Sequence, residues 1–258
     1  MTKATHVNVG GTYKSCKSVW RNVSGVWKSD VMTWRNVSAT WKECMQYAYE
    51  RLYHCDNDID SNYELNVNTL ATINTVSSPS SNPTGIGGIN SRLYHCDYSS
   101  DKNYELNIDT LATINTVSSP SSSPHGIGGI NDRLYHCDND IDNNYELNVN
   151  TLATINTVSS PSIVPSGIGG INDRLYHCDY NTDNNYELNI DTLATINTVS
   201  SPSSYPSFPK GIGGINDRLY HCDFNSVKNY ELNIDTLATI NTVSSPSSSP
   251  HGIGGIKT

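Results

Sequence analysis

The chain has 258 residues, of which 36% are hydrophobic and 16% charged, and its formal net charge is −9 at pH 7. This acidity argues against nucleic acid as the main partner, because phosphate backbones attract basic surfaces. No apolar run is long enough to span a membrane as a helix. No secretory pattern of a charged segment and an apolar run follows Met1. We therefore expect a protein made in the cytoplasm without membrane insertion.

Residues 1–50 contain a short sequence that repeats with a period of 14 residues. The matching positions are Val9, Val23 and Val37, then Tyr13, Trp27 and Trp41, then Lys14, Lys28 and Lys42, and also Trp20 and Trp34. Gly10-Gly11 and Ser24-Gly25 are residue pairs typical of two-residue hairpin turns. The pattern predicts a small module of β-hairpins over residues 1–50.

This first module is rich in aromatic side chains. Its candidate attachment or oligomerisation residues are Tyr13, Trp20, Trp27, Trp34 and Trp41. Three small hairpins cannot bury so much apolar surface alone. We expect a partner, other copies of the chain, or the rest of the chain to cover it. The units Val-Asn-Val-Gly-Gly-Thr-Tyr-Lys and Arg-Asn-Val-Ser-Gly-Val-Trp-Lys resemble hairpin repeats of bacteriophage tail and other structural proteins, which implies attachment to a virion.

Residues 51–258 are one unit written five times. Each copy begins Arg-Leu-Tyr-His-Cys-Asp and has Gly-Ile-Gly-Gly-Ile near its end, followed by two further residues. The copies begin at Arg51, Arg92, Arg133, Arg174 and Arg218. A fixed period of this length marks a repeat architecture.

Each copy contains four strand-like stretches, which in the first copy are 51–56, 62–66, 70–76 and 85–89. These stretches either alternate apolar with polar residues or are rich in β-branched and aromatic residues, and turn-forming residues separate them. Four short antiparallel strands per unit predict an all-β, five-bladed β-propeller over residues 51–258. The C-terminal Gly-rich strand would close the ring by completing the first blade. An open β-solenoid is the alternative.

The repeat also resembles known propeller families. The pattern Leu-Tyr-His-Cys-Asp, then Asn-Tyr-Glu-Leu-Asn, then Gly-Ile-Gly-Gly-Ile is similar to the repeats of PQQ-type, kelch-type and YVTN-type β-propellers. The resemblance covers residues 51–258 and implies the architecture without indicating a function or a subfamily.

Two segments differ between copies, whereas most other positions are the same. They are 57–61 and 80–84 in the first copy, and the fourth copy carries a three-residue insertion in the second segment, at 203–210. In an up-and-down blade both segments emerge on one side of the disc, here named the variable face. Aromatic residues on loops of a rigid scaffold are typical of recognition surfaces. The candidate ligand-binding residues are Tyr98, His125, Tyr180, Tyr205, Phe208, Phe224 and His251. The alternative is neutral drift in solvated loops.

The repeat cysteines and histidines have structural interpretations. Cys55, Cys96, Cys137, Cys178 and Cys222 lie in separate blades and are expected to be small buried thiols. Cys16 and Cys44 could pair. His54, His95, His136, His177 and His221 are expected to bond to a neighbouring blade, through the repeat Asp or Arg, and not to a metal ion. We predict no metal site and no cofactor.

Asp residues at alternate positions in 56–60 and 138–142 look like part of a calcium loop. They lack the Gly and Glu that complete an EF-hand. We expect Asx-rich turns instead, with calcium binding as the alternative.

Enzymatic activity is the second functional class to weigh. Glycoside hydrolysis needs two carboxylates in different environments, yet Glu64 recurs identically as Glu105, Glu146, Glu187 and Glu231. We therefore expect no catalytic residues. The near-identity of the five copies favours several equivalent weak binding sites instead, which would bind a ligand multivalently.

These observations predict a bacteriophage virion structural protein, made in the host cytoplasm, such as a tail fibre, a tail-associated protein or a head fibre or decoration protein. Residues 1–50 would bind other virion proteins, with the chain as a homo-oligomer in the particle. The propeller would present its variable face to a host-surface glycan or protein. The alternatives are a purely structural decoration or cement protein and a free lectin-like propeller.

Overall fold

The computed structural model describes residues 50–202 and 208–257, together with the backbone of six strands within residues 5–43. The chain divides into two compact units, residues 1–48 and residues 49–257. No helix in the described parts of the chain is long and apolar enough to cross a membrane.

The N-terminal unit contains three separate antiparallel hairpins. The strands are β1 (Thr5–Val9), β2 (Thr12–Cys16), β3 (Arg21–Val23), β4 (Val26–Lys28), β5 (Trp34–Val37) and β6 (Thr40–Glu43). They pair as β1 with β2, β3 with β4 and β5 with β6. Two residues separate the strands of each hairpin, as the sequence predicts. The described part of the chain does not include the side chains of Tyr13, Trp27, Trp34 and Trp41, nor any atom of Trp20. Their predicted role in attachment therefore stays a prediction.

The second unit is a five-bladed β-propeller. Its strands are β7 (Glu50–Asp56), β8 (Ser61–Leu65) and β9 (Thr72–Ser77); β10 (Pro83–Ile89), β11 (Arg92–Asp97), β12 (Lys102–Leu106) and β13 (Thr113–Ser118); β14 (Pro124–Ile130), β15 (Arg133–Asp138), β16 (Asn143–Leu147) and β17 (Thr154–Ser159); β18 (Pro165–Ile171), β19 (Arg174–Asp179), β20 (Asn184–Leu188) and β21 (Thr195–Ser200); β22 (Pro209–Ile215), β23 (Arg218–Asp223), β24 (Lys228–Leu232) and β25 (Thr239–Ser244); and β26 (Pro250–Lys257).

The last strand closes the ring. Four blades are continuous in sequence, with orders β10-β11-β12-β13, β14-β15-β16-β17, β18-β19-β20-β21 and β22-β23-β24-β25, counted from the innermost strand outward. The first blade has the order β26-β7-β8-β9, so the C-terminal strand supplies its innermost strand. Its register runs from Pro250 opposite Asp56 to Lys257 opposite Glu50. The predicted fold and its closure are confirmed.

The outermost strand begins later than the sequence predicts. It starts at Thr72 and not at residue 70. Leu70 instead has a φ of 57°, a left-handed conformation that a strand cannot contain, and its side chain is buried. The backbone of Asn66 accepts a hydrogen bond from the Leu70 amide at 2.8 Å, which closes a turn. The prediction was wrong here because an apolar residue in a turn reads as part of the adjacent strand.

The core lies between the blades. Tyr53 and Cys55 of the first blade pack with Leu93, Tyr104 and Leu106 of the second, and the same cluster recurs at the other four boundaries. Glycine in the innermost strands permits close approach at the axis. A Cβ atom on Gly87 would lie 2.6 Å from the backbone oxygen of Ile127 in the next blade. The Gly-rich sequence therefore fits the narrow axis of a five-bladed ring.

Candidate recognition surface

The two segments that differ between copies lie side by side on one end of each blade. The amide of Tyr98, which opens the turn between β11 and β12, donates a hydrogen bond to the backbone oxygen of Asn82, 3.0 Å away. Asn82 belongs to the connection that leads into β10 of the same blade. The turn and the incoming connection of a blade are thus neighbours on the variable face.

A buried aspartate at the end of the second strand holds the two segments together. Asp97 Oδ2 accepts a hydrogen bond from the Asn82 amide, and Asp97 Oδ1 accepts one from the Ser100 amide, both at 2.8 Å. Burial raises the pKa of this carboxyl, but hydrogen bonds from serine hydroxyls and backbone amides outweigh it and the pKa is lowered overall. The equivalent residues are Asp56, Asp138, Asp179 and Asp223, all fully buried.

The first aspartate of each alternating segment forms an Asx turn. Asp56 Oδ1 accepts a hydrogen bond from the Ile59 amide at 3.0 Å, and Asp138 Oδ1 accepts from the Ile141 amide at 2.9 Å. Backbone amides therefore occupy oxygens that a calcium loop would aim at the ion. Within residues 50–202 and 208–257, no group of three or more His, Cys, Asp or Glu side chains is arranged to hold a metal ion.

The candidate aromatic residues meet in pairs across blade boundaries. Tyr98 packs edge-on against His125 with ring centroids 5.5 Å apart, and Phe224 packs in the same way against His251 at 5.5 Å. Tyr180 stacks on Phe208 with centroids 4.5 Å apart and an interplanar angle of 13°. Tyr205 lies outside the described residues. The structure thus brings six of the seven candidates together two by two.

Two of these candidates are less accessible than their predicted loop position implies. His125 and His251 are each only 8% exposed, whereas Tyr98 is 46% exposed. The histidines belong to the innermost strands β14 and β26, next to the axis, and not to the preceding loops. The expectation that all seven side chains are exposed loop residues was therefore wrong for these two. Sequence patterns do not show how closely five strands crowd around an axis.

Burial sets the protonation state of both histidines. It lowers the pKa of His125 and of His251 to about 3, with the charge of Lys210 as the next cause. His125 Nδ1 lies 3.2 Å from the backbone oxygen of Ser123, and His251 Nδ1 lies 3.0 Å from that of Ser249. A carbonyl oxygen only accepts, so Nδ1 carries the proton in each ring. Both imidazoles are neutral near pH 7 and keep a lone pair on Nε2.

Sequence reasoning missed Lys210. Its Nζ lies 4.2 Å from the centroid of the Tyr180 ring, a distance at which a cation is attracted to an aromatic face. Lys210 occupies the only position of the innermost strand that varies between blades. The five residues there are Thr84, His125, Ser166, Lys210 and His251. The sequence did contain a signal for this position. Its three large residues, His125, Lys210 and His251, occur only in the copies whose turn begins with an aromatic residue, which are those with Tyr98, Tyr180 and Phe224.

The repeat histidines and glutamates serve the scaffold. His54 Nε2 lies 3.3 Å from the hydroxyls of Ser245 and Ser247, on the connection that arrives from the fifth blade. The predicted partners, Asp or Arg, were wrong, although the partner does come from a neighbouring blade. Burial lowers the pKa of His54 to about 4. Glu64 is held by two bonds from Arg51, both 2.8 Å long.

The opposite end of the propeller, named here the constant face, carries the turns 66–71 and 90–91 and their equivalents. A cavity of about 570 Å³ opens there around the axis. Its lining includes a ring of isoleucines: Ile89, Ile130, Ile171, Ile215 and Ile256. Asn90 and Asn131 donate hydrogen bonds to Asp132 and Asp173 on the rim. These polar side chains therefore pair with each other.

Comparison with solved structures places the fold among β-propellers. The chain is similar to glutaminyl cyclase of Myxococcus xanthus, with a TM-score of 0.56 and 10% identity over 78% of this chain and 79% of that chain. It is similar to a chain of the nidogen/laminin complex, with a TM-score of 0.58 and 14% identity over 80% of this chain and 98% of that chain. The WD40 repeats of RRP9 give a TM-score of 0.50 and 9% identity, over 75% and 60%. At these identities the similarity shows the fold alone.

No protein-family model matches the chain. No curated protein matches it either.

Proposed function

We propose that the chain is a non-catalytic binding protein of a bacteriophage particle, with the variable face presented to a glycan or protein on the host surface. One observation carries this proposal. Sequence differences between the five copies are concentrated on one face, where the aromatic side chains of neighbouring blades meet in pairs, as for Tyr98 with His125 and Tyr180 with Phe208. Rigidly mounted aromatic side chains are favoured at binding surfaces.

Residues 1–50 lie before the propeller in the sequence, and β7 begins at Glu50, which pairs with Lys257. Attachment through residues 1–50 is inferred from their sequence alone. The virion assignment itself rests on the resemblance of the hairpin repeats to phage structural proteins.

The environments of the acidic residues favour binding over catalysis. Glu64 and its equivalents are held by arginine in every blade, and the buried repeat aspartates accept backbone hydrogen bonds. A general acid needs a carboxyl with a raised pKa and access to substrate. One similar structure is an enzyme by name, glutaminyl cyclase, so an assay for cyclisation of an N-terminal glutamine peptide is an appropriate control.

The first experiment is electron cryomicroscopy of the particle that contains the full chain. The proposal expects residues 1–50 against other virion proteins and the variable face towards solvent. Burial of the variable face against virion subunits would show a decoration or cement protein. Absence of the chain from any particle would leave a free lectin-like propeller.

A binding assay tests the recognition step. The full chain, labelled with a fluorophore, is applied to host cells, and Tyr98→Ala is compared with Ile114→Ala. Both side chains are exposed, but Ile114 lies on the outermost strand β13, away from the variable face. We expect Tyr98→Ala to weaken binding about 5-fold or more, as loss of an aromatic anchor does, and Ile114→Ala to have no effect. Equal binding by all three proteins would contradict the proposal.

A further inference from the structure

The axis of the propeller opens onto the variable face through a small polar mouth. Its lining combines glycine and isoleucine from the five innermost strands with Thr84 and Lys210. The enclosed volume is about 10 Å³, which is room for one group the size of a water molecule. Four of the five strands contribute no charge to this opening near pH 7, because their equivalent residues are Thr84, Ser166 and the neutral His125 and His251. Lys210 is therefore the one charged residue among the five equivalent positions around the mouth.

Lys210 is an unusual basic residue in its surroundings. Among the residues that the structure describes, no carboxylate lies within ion-pair distance of its ammonium group. Its neighbours are the Tyr180 ring and the thiols of Cys178 and Cys222. Burial raises the pKa of the Cys178 thiol to about 12 and raises that of the Cys222 thiol well above its usual range, so neither is an anion near neutral pH.

The charge of Lys210 is retained at neutral pH although its environment opposes it. Burial lowers its pKa to about 8. A partly desolvated cation without a counter-ion is costly, and such a group gains stability when an anion binds beside it. Tyr180 compensates only in part through its ring face.

Two histidines lie close enough to respond to the same anion. The charge of Lys210 lowers the pKa of both His125 and His251, which places all three groups in one electrostatic neighbourhood. Asp56, buried near His251, acts in the opposite direction. An anion at the mouth would raise both histidine pKa values, because opposite charge favours the protonated ring.

We propose that the axial mouth on the variable face binds a carboxylate group, with Lys210 as its counter-ion and one carboxylate oxygen inserted at the axis. The opening admits no more than that oxygen. The remainder of the ligand would lie outside, where Tyr98 is the most exposed aromatic side chain of the face. This inference deepens the proposed recognition function and names an acidic sugar as the ligand class, with a free small carboxylate as the other source of the same chemistry.

Calorimetric titration of the full chain tests the site. The probes are sodium acetate, sodium glucuronate and, as the uncharged control, glucose. The variants are Lys210→Met, which keeps an apolar stem against Tyr180, and Lys228→Met, an exposed lysine on the same face. We expect glucuronate to bind wild type and Lys228→Met equally. Lys210→Met should bind it at least 10-fold more weakly, and glucose should not bind to any of the three proteins.

Comparison of glucuronate with acetate also distinguishes an acidic sugar from a free small carboxylate as the ligand. Glucuronate bound at least 10-fold more tightly than acetate supports an acidic sugar. Equal affinities overturn the sugar assignment and leave a small-anion site. No binding of either anion, or equal binding by Lys210→Met, overturns the site altogether.

A second readout covers the case in which Lys210→Met does not fold. The ¹³C resonances of lysine side chains in wild type follow the Lys210 titration directly. Saturating glucuronate should raise its pKa, and an unchanged Lys210 pKa overturns the proposal.

The outcome is distinguishable from that of the recognition proposal. If no anion binds but host-cell binding still depends on Tyr98, only the inference about the axial mouth fails. If glucuronate binding depends on Lys210 but cells bind Tyr98→Ala normally, the anion site stands and recognition of the host through this face fails.

Discussion

The hydroxyl of Tyr94 donates a hydrogen bond to the backbone oxygen of Val149, which lies 2.8 Å away in the neighbouring blade. Every blade boundary has the same bond. The equivalent pairs are Tyr53 with Ile108, Tyr135 with Ile190, Tyr176 with Ile234 and Tyr220 with Val67. The last pair joins the fifth blade to the first, so the bonds form a closed ring. The repeated tyrosine is therefore both a core residue and a directional connection between blades.

Removing one of these hydroxyls should weaken the propeller measurably. Tyr94→Phe keeps the ring in the core but leaves the Val149 carbonyl without its partner. We expect a loss of about 1 kcal/mol in the free energy of unfolding, measured by urea denaturation. Tyr98→Phe, on the exposed tyrosine of the variable face, is the control and should change stability by less than about 0.5 kcal/mol. Equal effects of the two substitutions would show that the inter-blade bond contributes nothing specific.

A second inter-blade connection is ionic. Arg133 binds Glu146 through two bonds of 2.8 and 2.7 Å and reaches Asp191 of the next blade at 2.7 Å. The Glu146 side chain is 13% exposed and that of Asp191 is 77% exposed. The two carboxylates therefore offer a matched comparison around one guanidinium group.

Glu146→Gln should destabilise the protein more than Asp191→Asn. The first change removes the charge from a largely buried bidentate pair, and we expect a loss of about 1–3 kcal/mol. The second breaks a solvent-screened contact worth less than about 1 kcal/mol. Chemical denaturation at low and high salt separates them, because screening should reduce only the Asp191 contribution. A larger loss of stability for Asp191→Asn than for Glu146→Gln would mean that Arg133 stabilises the protein mainly through its contact with the neighbouring blade.

Much of the scaffold could be predicted because the sequence contains five nearly identical copies. Their period fixed the blade count, and the position of the last Gly-rich segment indicated the closing strand. Leu70 was wrongly assigned to a strand, because nothing in the sequence distinguishes a buried apolar residue in a turn from one in the adjacent strand. Local alternation could not indicate the burial of His125 or the environment of Lys210, since both depend on five strands converging at the axis. The pairing of Tyr98 with His125 was accessible in principle, because both residues belong to one copy and change together.

The buried repeat histidines should make the propeller sensitive to mild acid. Burial lowers the pKa of His54, His95, His177 and His221 to about 4 and that of His136 to about 3. A histidine in the unfolded chain titrates near pH 6.5. Between about pH 6.5 and pH 4 the unfolded chain thus binds more protons than the folded one, so stability falls as pH falls. Above about pH 7 these groups contribute no pH dependence.

The expected size of the effect is large. Each proton taken up on unfolding changes the free energy of unfolding by about 1.4 kcal/mol per pH unit. Five such histidines can exceed the 5–15 kcal/mol that typically stabilises a domain. We expect unfolding between about pH 6 and pH 4, followed by circular dichroism. His136→Gln should reduce the proton uptake by about one, and a stability that stays constant from pH 7 to pH 4.5 would contradict the assigned burial.

The repeat cysteines should resist modification in the native protein. Cys55, Cys96, Cys137, Cys178 and Cys222 are free and buried, and burial raises the pKa of their thiols. The thiolate is the reactive form, so both access and ionisation oppose alkylation. We expect iodoacetamide at pH 8 to label none of the five in the folded chain and all five in strong denaturant, as read by peptide mass spectrometry.

An introduced cysteine provides the matched control for this experiment. Thr116→Cys places a thiol on the exposed face of the outermost strand β13, where it should be labelled completely under native conditions. Labelling of one repeat cysteine ahead of the others would identify the blade boundary that opens first. The boundary between the fourth and fifth blades is the one to watch, since its connection carries the three-residue insertion. Uniform labelling of all five at the rate of Thr116→Cys would mean that the inter-blade core is not closed.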